Sequence, residues 1–127
     1  MTAIVEVTDL AKVFDVSAPW LNRIIDRKPR QFVHAVDGVS FAIEKGKTLA
    51  LVGESGCGKT TAGKAMLQLI RPTAGSVLLD GVELTTRSTG ELRPLRAKMQ
   101  MVFQDPFASL NPRLRIGDII AEGMRAL

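Results

Sequence analysis

Three glycines, a lysine and two threonines are compressed into nine positions, Gly53-Glu54-Ser55-Gly56-Cys57-Gly58-Lys59-Thr60-Thr61. Glycine is favoured where a backbone bends through positive φ or lets a ligand approach closely. The order G-x-x-x-x-G-K-[ST], met at Gly53, Gly58, Lys59 and Thr60, is that of a loop whose N–H groups cradle phosphate. Such a loop works with a helix behind it, because the helix N-terminus brings partial positive charge to the same point. That dipole amounts to only about +0.5 of a charge, far short of what a triphosphate carries. Lys59 is therefore expected to supply a full charge, and the Thr60 hydroxyl to hold a Mg²⁺ that supplies the rest. Cys57 fills one of the variable positions, which makes it a thiol beside the phosphates rather than a nucleophile.

The flanks offer the elements that must position these groups. "TLALV" (48–52) is a short apolar run that reads as a strand buried on both faces. Behind the loop, Ala62, Ala65, Met66, Leu69 and Ile70 recur at helical spacing. A dinucleotide site is excluded, since it requires G-x-G-x-x-G and the glycines here run G-x-x-G-x-G before a lysine. Asp80 resembles a ribose- or magnesium-binding acid at a strand end, but Gly81 follows it. "SVLLDGVEL" (76–84) is then a hairpin with an Asp-Gly turn.

Elsewhere the N-terminal "AIVEVTDLAKVF" alternates as a half-buried strand, and a polar, basic insertion occupies residues 16–31. Within it Trp20 and Leu21 precede the basic "NRIIDRKPR" and Ile24 and Ile25 fall inside it, which outlines a short amphipathic turn or helix; a solvated excursion is the expectation, membrane contact the alternative. "FVHAVDGVSFAI" reads as strand with a turn at Asp37-Gly38, and "EKGK" (44–47) as a turn. "STGELRPLRAK" is helical in part, with Pro94 expected to interrupt it. "MQMVFQ" (99–104) reads as a buried strand. In "IGDIIAEGMRAL" the residues Ile116, Ile119, Ile120, Met124 and Leu127 share one helical face.

At 127 residues the chain amounts to one domain or less. Hydrophobic residues make up 46% of it, yet no apolar run approaches the ~18–20 residues that span a bilayer. One cysteine cannot form an internal disulfide and suits a reducing compartment. The net charge of +4 comes with few aromatics and scattered basic residues, a solvated surface rather than a nucleic-acid interface.

Four stretches, "AVDGVSFAIEKGKTLALVGESGCGKTT", "RPTAGSVLLDGVEL", "MQMVFQDPFASLNPR" and "IGDIIAEG", together resemble the N-terminal half of an ABC transporter ATP-binding subunit of the dipeptide and oligopeptide importer type. The resemblance implies an α/β fold: a P-loop NTPase of the ABC ATPase type with an N-terminal antiparallel β subdomain, truncated before the signature motif. Residues 1–127 would be the N-terminal part of one ATP-binding domain, with 105–127 starting its helical subdomain. ATP and Mg²⁺ are the implied cofactors. Gly53, Glu54, Ser55, Gly56, Cys57, Gly58, Lys59, Thr60 and Thr61 match the family's phosphate loop. Lys59 would meet the β/γ-phosphates, Thr60 the magnesium and Thr61 the α-phosphate.

Phe14 stands where the family places an aromatic that stacks on adenine. Gln104 matches the glutamine that meets both magnesium and the attacking water and heads a loop contacting membrane subunits. The implied partners are membrane permease subunits and a second ATP-binding subunit packed head to tail, with no nucleic acid, at the cytoplasmic face of the cell membrane. His34 lies upstream of the loop and does not match the family's switch histidine. No LSGGQ-like stretch and no apolar run ending in Asp-Glu occurs in the sequence, so the 127 residues alone are expected to bind nucleotide without turning it over. A small P-loop kinase or GTPase is the competing reading; against it stand some fifty residues of strand-like sequence ahead of the loop and the absence of an N-K-x-D motif.

Overall fold

The computed structural model describes residues 2–126, in two compact units, 1–86 and 87–127. The first unit is organised by β1 (Ala3–Asp15) and β2 (Phe32–Glu44), two thirteen-residue strands paired antiparallel. A hairpin of β3 (Ala74–Leu79) and β4 (Val82–Glu83) adds to the other edge of β1, so the sheet order is β2-β1-β3-β4. Every pairing is antiparallel, as expected for the N-terminal subdomain. The Asp80-Gly81 turn closes the hairpin with both residues at positive φ, 51° and 76°, the backbone that matches the twist of the flanking strands.

Alternation along β1 is reset at Asp9. Val7 and Leu10 are both buried although three positions apart, because Asp9 takes a φ of 47° and the ladder slips between Val7 and Leu10. The Asp9 N–H, displaced from the ladder, donates instead to Ser40 Oγ at 2.8 Å. The turn expected at Asp37-Gly38 is another such irregularity: β2 runs straight through it, and the register moves from Leu10↔Val39 to Lys12↔Val36. Two residues opposing one make a bulge rather than a reversal.

Val7, Leu10, Val36, Val77, Leu79 and Leu84 form the apolar centre of this unit, each worth about 1.5–3 kcal/mol when fully buried. Helix α2 (Lys59–Met66) lies against β1 and β2, with Ala62 and Ala65 buried. It is shorter than the apolar spacing to Ile70 suggested. Gln68 adopts a φ of 58°, and its buried side-chain amide donates to Ala65 O at 2.9 Å, which ends the helix. Leu69 is then left exposed.

Glu83 ties the hairpin together. Its carboxylate accepts from Ser76 Oγ (2.5 Å), Val77 N (3.2 Å), Thr85 N (3.1 Å) and Thr85 Oγ1. Burial pushes this carboxyl up, but the hydrogen bonds together outweigh burial and hold it below its ordinary value of 4.5. A folded-state value below the unfolded one means stabilisation present above the unfolded value and lost as pH falls through the folded one. Glu83→Gln is therefore expected to lower Tm at neutral pH, with the gap to the unsubstituted protein closing as pH drops through the carboxylate range. Thermal melts across that range check it, and a gap that widens in acid would contradict it.

Two expected strands are not formed. Residues 48–52 and 99–104 pair with nothing among the described residues, and Val52 and Val102 are 91% and 93% exposed. Their apolar pattern suits strands with neighbours on both edges, and parallel neighbours come from distant sequence. A strand is defined by its ladder, and without one the runs remain irregular.

In the second unit, α3 (Thr89–Arg96) begins at a capping box: Ser88 Oγ accepts from Glu91 N (3.3 Å), and Glu91 Oε2 from Ser88 N (2.7 Å). Pro94 lies inside α3 and does not interrupt it. The well-capped first turn and the buried Leu92 hold the helix despite one lost backbone bond. Helix α4 (Ile116–Ala126) exposes Ile116, Ile120 and Met124, while Ile119 is half-buried; Leu127, assigned to the same face, lies outside the described residues.

Candidate functional site

The glycine loop turns from the irregular 48–52 segment into α2. Its first bend is closed by Cys57 N donating to Glu54 O at 3.2 Å, and Gly56 and Gly58 both have positive φ, 81° and 96°. Gly58 is the N-cap of α2. It offers no side chain to the first-turn N–H groups, and no acidic residue stands in that turn. Among the described residues the positive end of the helix therefore has no side-chain cap and no acid in its first turn, the condition for receiving an anion. Gly58 also seats the loop on the sheet: a Cβ there would lie 2.2 Å from Ala35 O on β2.

Lys59 folds back over this loop. Its Nζ donates to Gly53 O at 2.5 Å and Glu54 O at 2.7 Å, and lies 3.5 Å from Cys57 Sγ. One nine-residue stretch thus holds an ammonium, seated on the loop's carbonyl oxygens, and a helix N-terminus. Ser55, Cys57 and Thr60 are exposed, and Thr61 is half-buried. Among the described residues no group of three or more His, Cys, Asp or Glu could hold a metal. Thr60 would offer a neutral hydroxyl, which suits a Mg²⁺ that keeps waters and takes its remaining ligands from substrate phosphates.

Phe14 is half-buried near the end of β1, opposite Val33 on β2. Val33 is two residues from Ala35, the seat of the loop, about 7 Å along the strand. The β1–β2 pair therefore carries both the aromatic and the support of the glycine loop. The sequence reading missed Lys12, whose Nζ stands 5.1 Å from the centre of the Phe14 ring and donates to Arg71 O at 2.8 Å. Spacing i, i+2 on one strand was the available signal, since it puts Lys12 and Phe14 on the same face. The ammonium covers one face of the ring, a favourable cation–π geometry.

Gln104 belongs to the second unit, exposed at the end of the unpaired 99–104 run. After it, Asp105 Oδ1 accepts from Phe107 N (2.9 Å) and Ala108 N (3.2 Å), and Asn111 Oδ1 from Arg113 N (3.0 Å). These local turns leave Phe107 and Leu110 exposed. His34 is an exposed β2 residue, and Asp80 sits in its turn.

Residues 36–126 match the ABC transporter family, a span that includes the glycine loop and Gln104. The chain belongs to the ABC transporter family. Membership sets aside the kinase and GTPase readings. The chain is 45% identical over 120 residues to a probable peptide ABC transporter ATP-binding protein, y4tS, of Sinorhizobium fredii, covering 94% of this chain and 33% of that protein. Over 120 residues it is 48% identical to the oligopeptide transport ATP-binding protein AppF of Bacillus subtilis, with 94% and 35% covered. It spans about a third of the length of these relatives. In fold it resembles a bacterial ABC transporter cassette solved as a dimer, with a TM-score of 0.65, 21% identity, and 87% of this chain and 42% of that one covered. Among the described residues no helix is long and apolar enough to cross a membrane.

Proposed function

We propose that this chain is the phosphate-loop part of the ATP-binding subunit of an ABC importer, coupling ATP hydrolysis in the whole subunit to uptake of peptides or a similar small solute. The observation that carries the nucleotide reading is the Lys59 ammonium held over the loop at an uncapped helix N-terminus. Gly53 to Thr61 wrap the phosphates, Lys59 neutralises their charge, and the Thr60 hydroxyl offers an oxygen to Mg²⁺. That ion, when bound, draws off charge from the phosphate oxygens. Phe14 stacks on the base.

Peptide import is supported by the two relatives, one a probable peptide ABC transporter ATP-binding protein and the other an oligopeptide transport ATP-binding protein. By the same family reasoning the subunit pairs head to tail with a second one and is peripheral to the cytoplasmic face of the membrane. The 104–115 segment, with its exposed Phe107 and Leu110, is the surface for a permease.

Cys57 supplies the test, because it is the chain's only cysteine and is exposed within the loop. Mg-ATP is expected to slow its reaction with a thiol reagent. In the same titration Phe14→Ala should raise the ATP and GTP concentrations required for protection alike, by about 5- to 150-fold for the ~1–3 kcal/mol of a base stack. Equal labelling rates with and without nucleotide would remove the loop from the site.

A further inference from the structure

The insertion between β1 and β2 takes no part in the phosphate loop, yet it is an ordered element. Its neck is pinned by Val16 N donating to Gln31 O (2.9 Å), Gln31 N to Ser17 Oγ (2.8 Å) and Ser17 N to Asp15 Oδ1 (2.9 Å). Above the neck stands α1 (Trp20–Asp26), none of whose residues is buried. Trp20, Leu21, Ile24 and Ile25 are 70%, 53%, 68% and 71% exposed. At i, i+1, i+4 and i+5 they form one stripe across about 140° of the helix.

A helix packed on its own protein turns such a stripe inward and its charges outward. Here the arrangement is inverted. Arg23, on the opposite face, is the half-buried residue of α1. The Ser17 hydrogen bonds, aided by Arg30 and Arg23, hold the Asp15 carboxyl at the neck below its usual range. The polar face thus serves the neck and the apolar face is presented to the outside.

What surrounds the stripe identifies what covers it. Residues 20–30 contain Arg23, Arg27, Lys28 and Arg30 against one acid, Asp26, giving a net charge of +3. Lys28 bridges Asp26 at 3.6 Å, and Arg27, Lys28 and Arg30 are exposed. A second copy of this face would be repelled by that charge. A tryptophan and branched aliphatics rimmed by long cationic side chains suit an interface that is apolar below and anionic at its surface. We propose that α1 docks on an anionic phospholipid surface, with Trp20, Leu21, Ile24 and Ile25 at the headgroup–acyl boundary and Arg27, Lys28 and Arg30 on headgroup phosphates. This contact is independent of the nucleotide reading and of any permease.

Trp20 is the only tryptophan in the chain, so intrinsic emission reports on α1 directly. Vesicles of phosphatidylcholine mixed with phosphatidylglycerol are expected to shift that emission to the blue, with quenching when the acyl chains are brominated. Vesicles of phosphatidylcholine alone should bind about tenfold more weakly or less, and added salt should narrow the difference. Ile24→Asp, at an exposed position, should abolish co-flotation with anionic vesicles. Ile120→Asp, on the exposed face of α4, should leave it unchanged. No shift on anionic vesicles, equal binding to neutral ones, or flotation that depends on Ile120 and not on Ile24 would each overturn the proposal. So would a Trp20 shift produced by an acidic protein when vesicles produce none.

Discussion

Lys59→Ala is expected to abolish binding of Mg-ATP, or to weaken it by at least about tenfold, ~1.4 kcal/mol. The magnitude follows from what remains once the ammonium is gone. The N-terminus of α2 carries about half a charge, no other basic residue lies between Lys47 and Lys64 except Lys59 itself, and the loop N–H groups are dipoles. The Nζ already sits over the loop, bonded to Gly53 O and Glu54 O, so its charge is in place before a ligand arrives and little ordering entropy is lost on binding. Because these two bonds also brace the loop, the melting temperature of the variant has to be recorded beside its affinity. Isothermal titration at fixed Mg²⁺ is the measurement. An unchanged Kd in a folded variant would mean that the loop does not hold phosphate.

Gly58→Ala is expected to be as damaging by a different route. A φ of 96° costs a residue with a Cβ about 1–2 kcal/mol. The added carbon would also stand 2.2 Å from Ala35 O, a backbone atom of β2 at the point where its register slips between the Lys12↔Val36 and Val13↔His34 pairs. Relief requires the start of α2 to lift off the sheet, which displaces Lys59 and Thr60 together. Loss of nucleotide binding should accompany a Tm lowered by about 4 °C or more, as expected for a domain of this size. Gly56→Ala is the internal comparison: its φ is 81°, but nothing lies within 4 Å of the new carbon. It should cost only the backbone strain. Equal effects of the two substitutions in melts and titrations would show that the contact with Ala35 does not govern the loop.

Local features of this chain were legible because local chemistry decides them. The glycine spacing marks the loop, Asp80-Gly81 marks its hairpin, "EKGK" marks its turn, and the polar run 16–31 marks an excursion containing a short helix. Each rests on backbone preferences of the residues themselves. The family, too, was legible in four short phrases.

Features that depend on a distant partner were misread or missed. The runs 48–52 and 99–104 have the composition of buried strands, yet a strand forms only against a neighbour, and no described residue provides one. Asp37-Gly38 has turn chemistry but becomes a bulge, because β1 pairs with β2 on both sides of it. Pro94 is tolerated because α3 is held by its capping box and by Leu92. Lys12 stands over Phe14 only once both are placed on one strand face, with Arg71 O receiving the ammonium. The sequence by itself determined that a glycine loop, a hairpin and a basic insertion exist. Only the tertiary structure decided that Gly58 rests on Ala35, that the Lys12 ammonium reaches Arg71 O and that α1 turns its apolar side outward, because each of these is a contact, or a missing contact, between segments far apart in the chain.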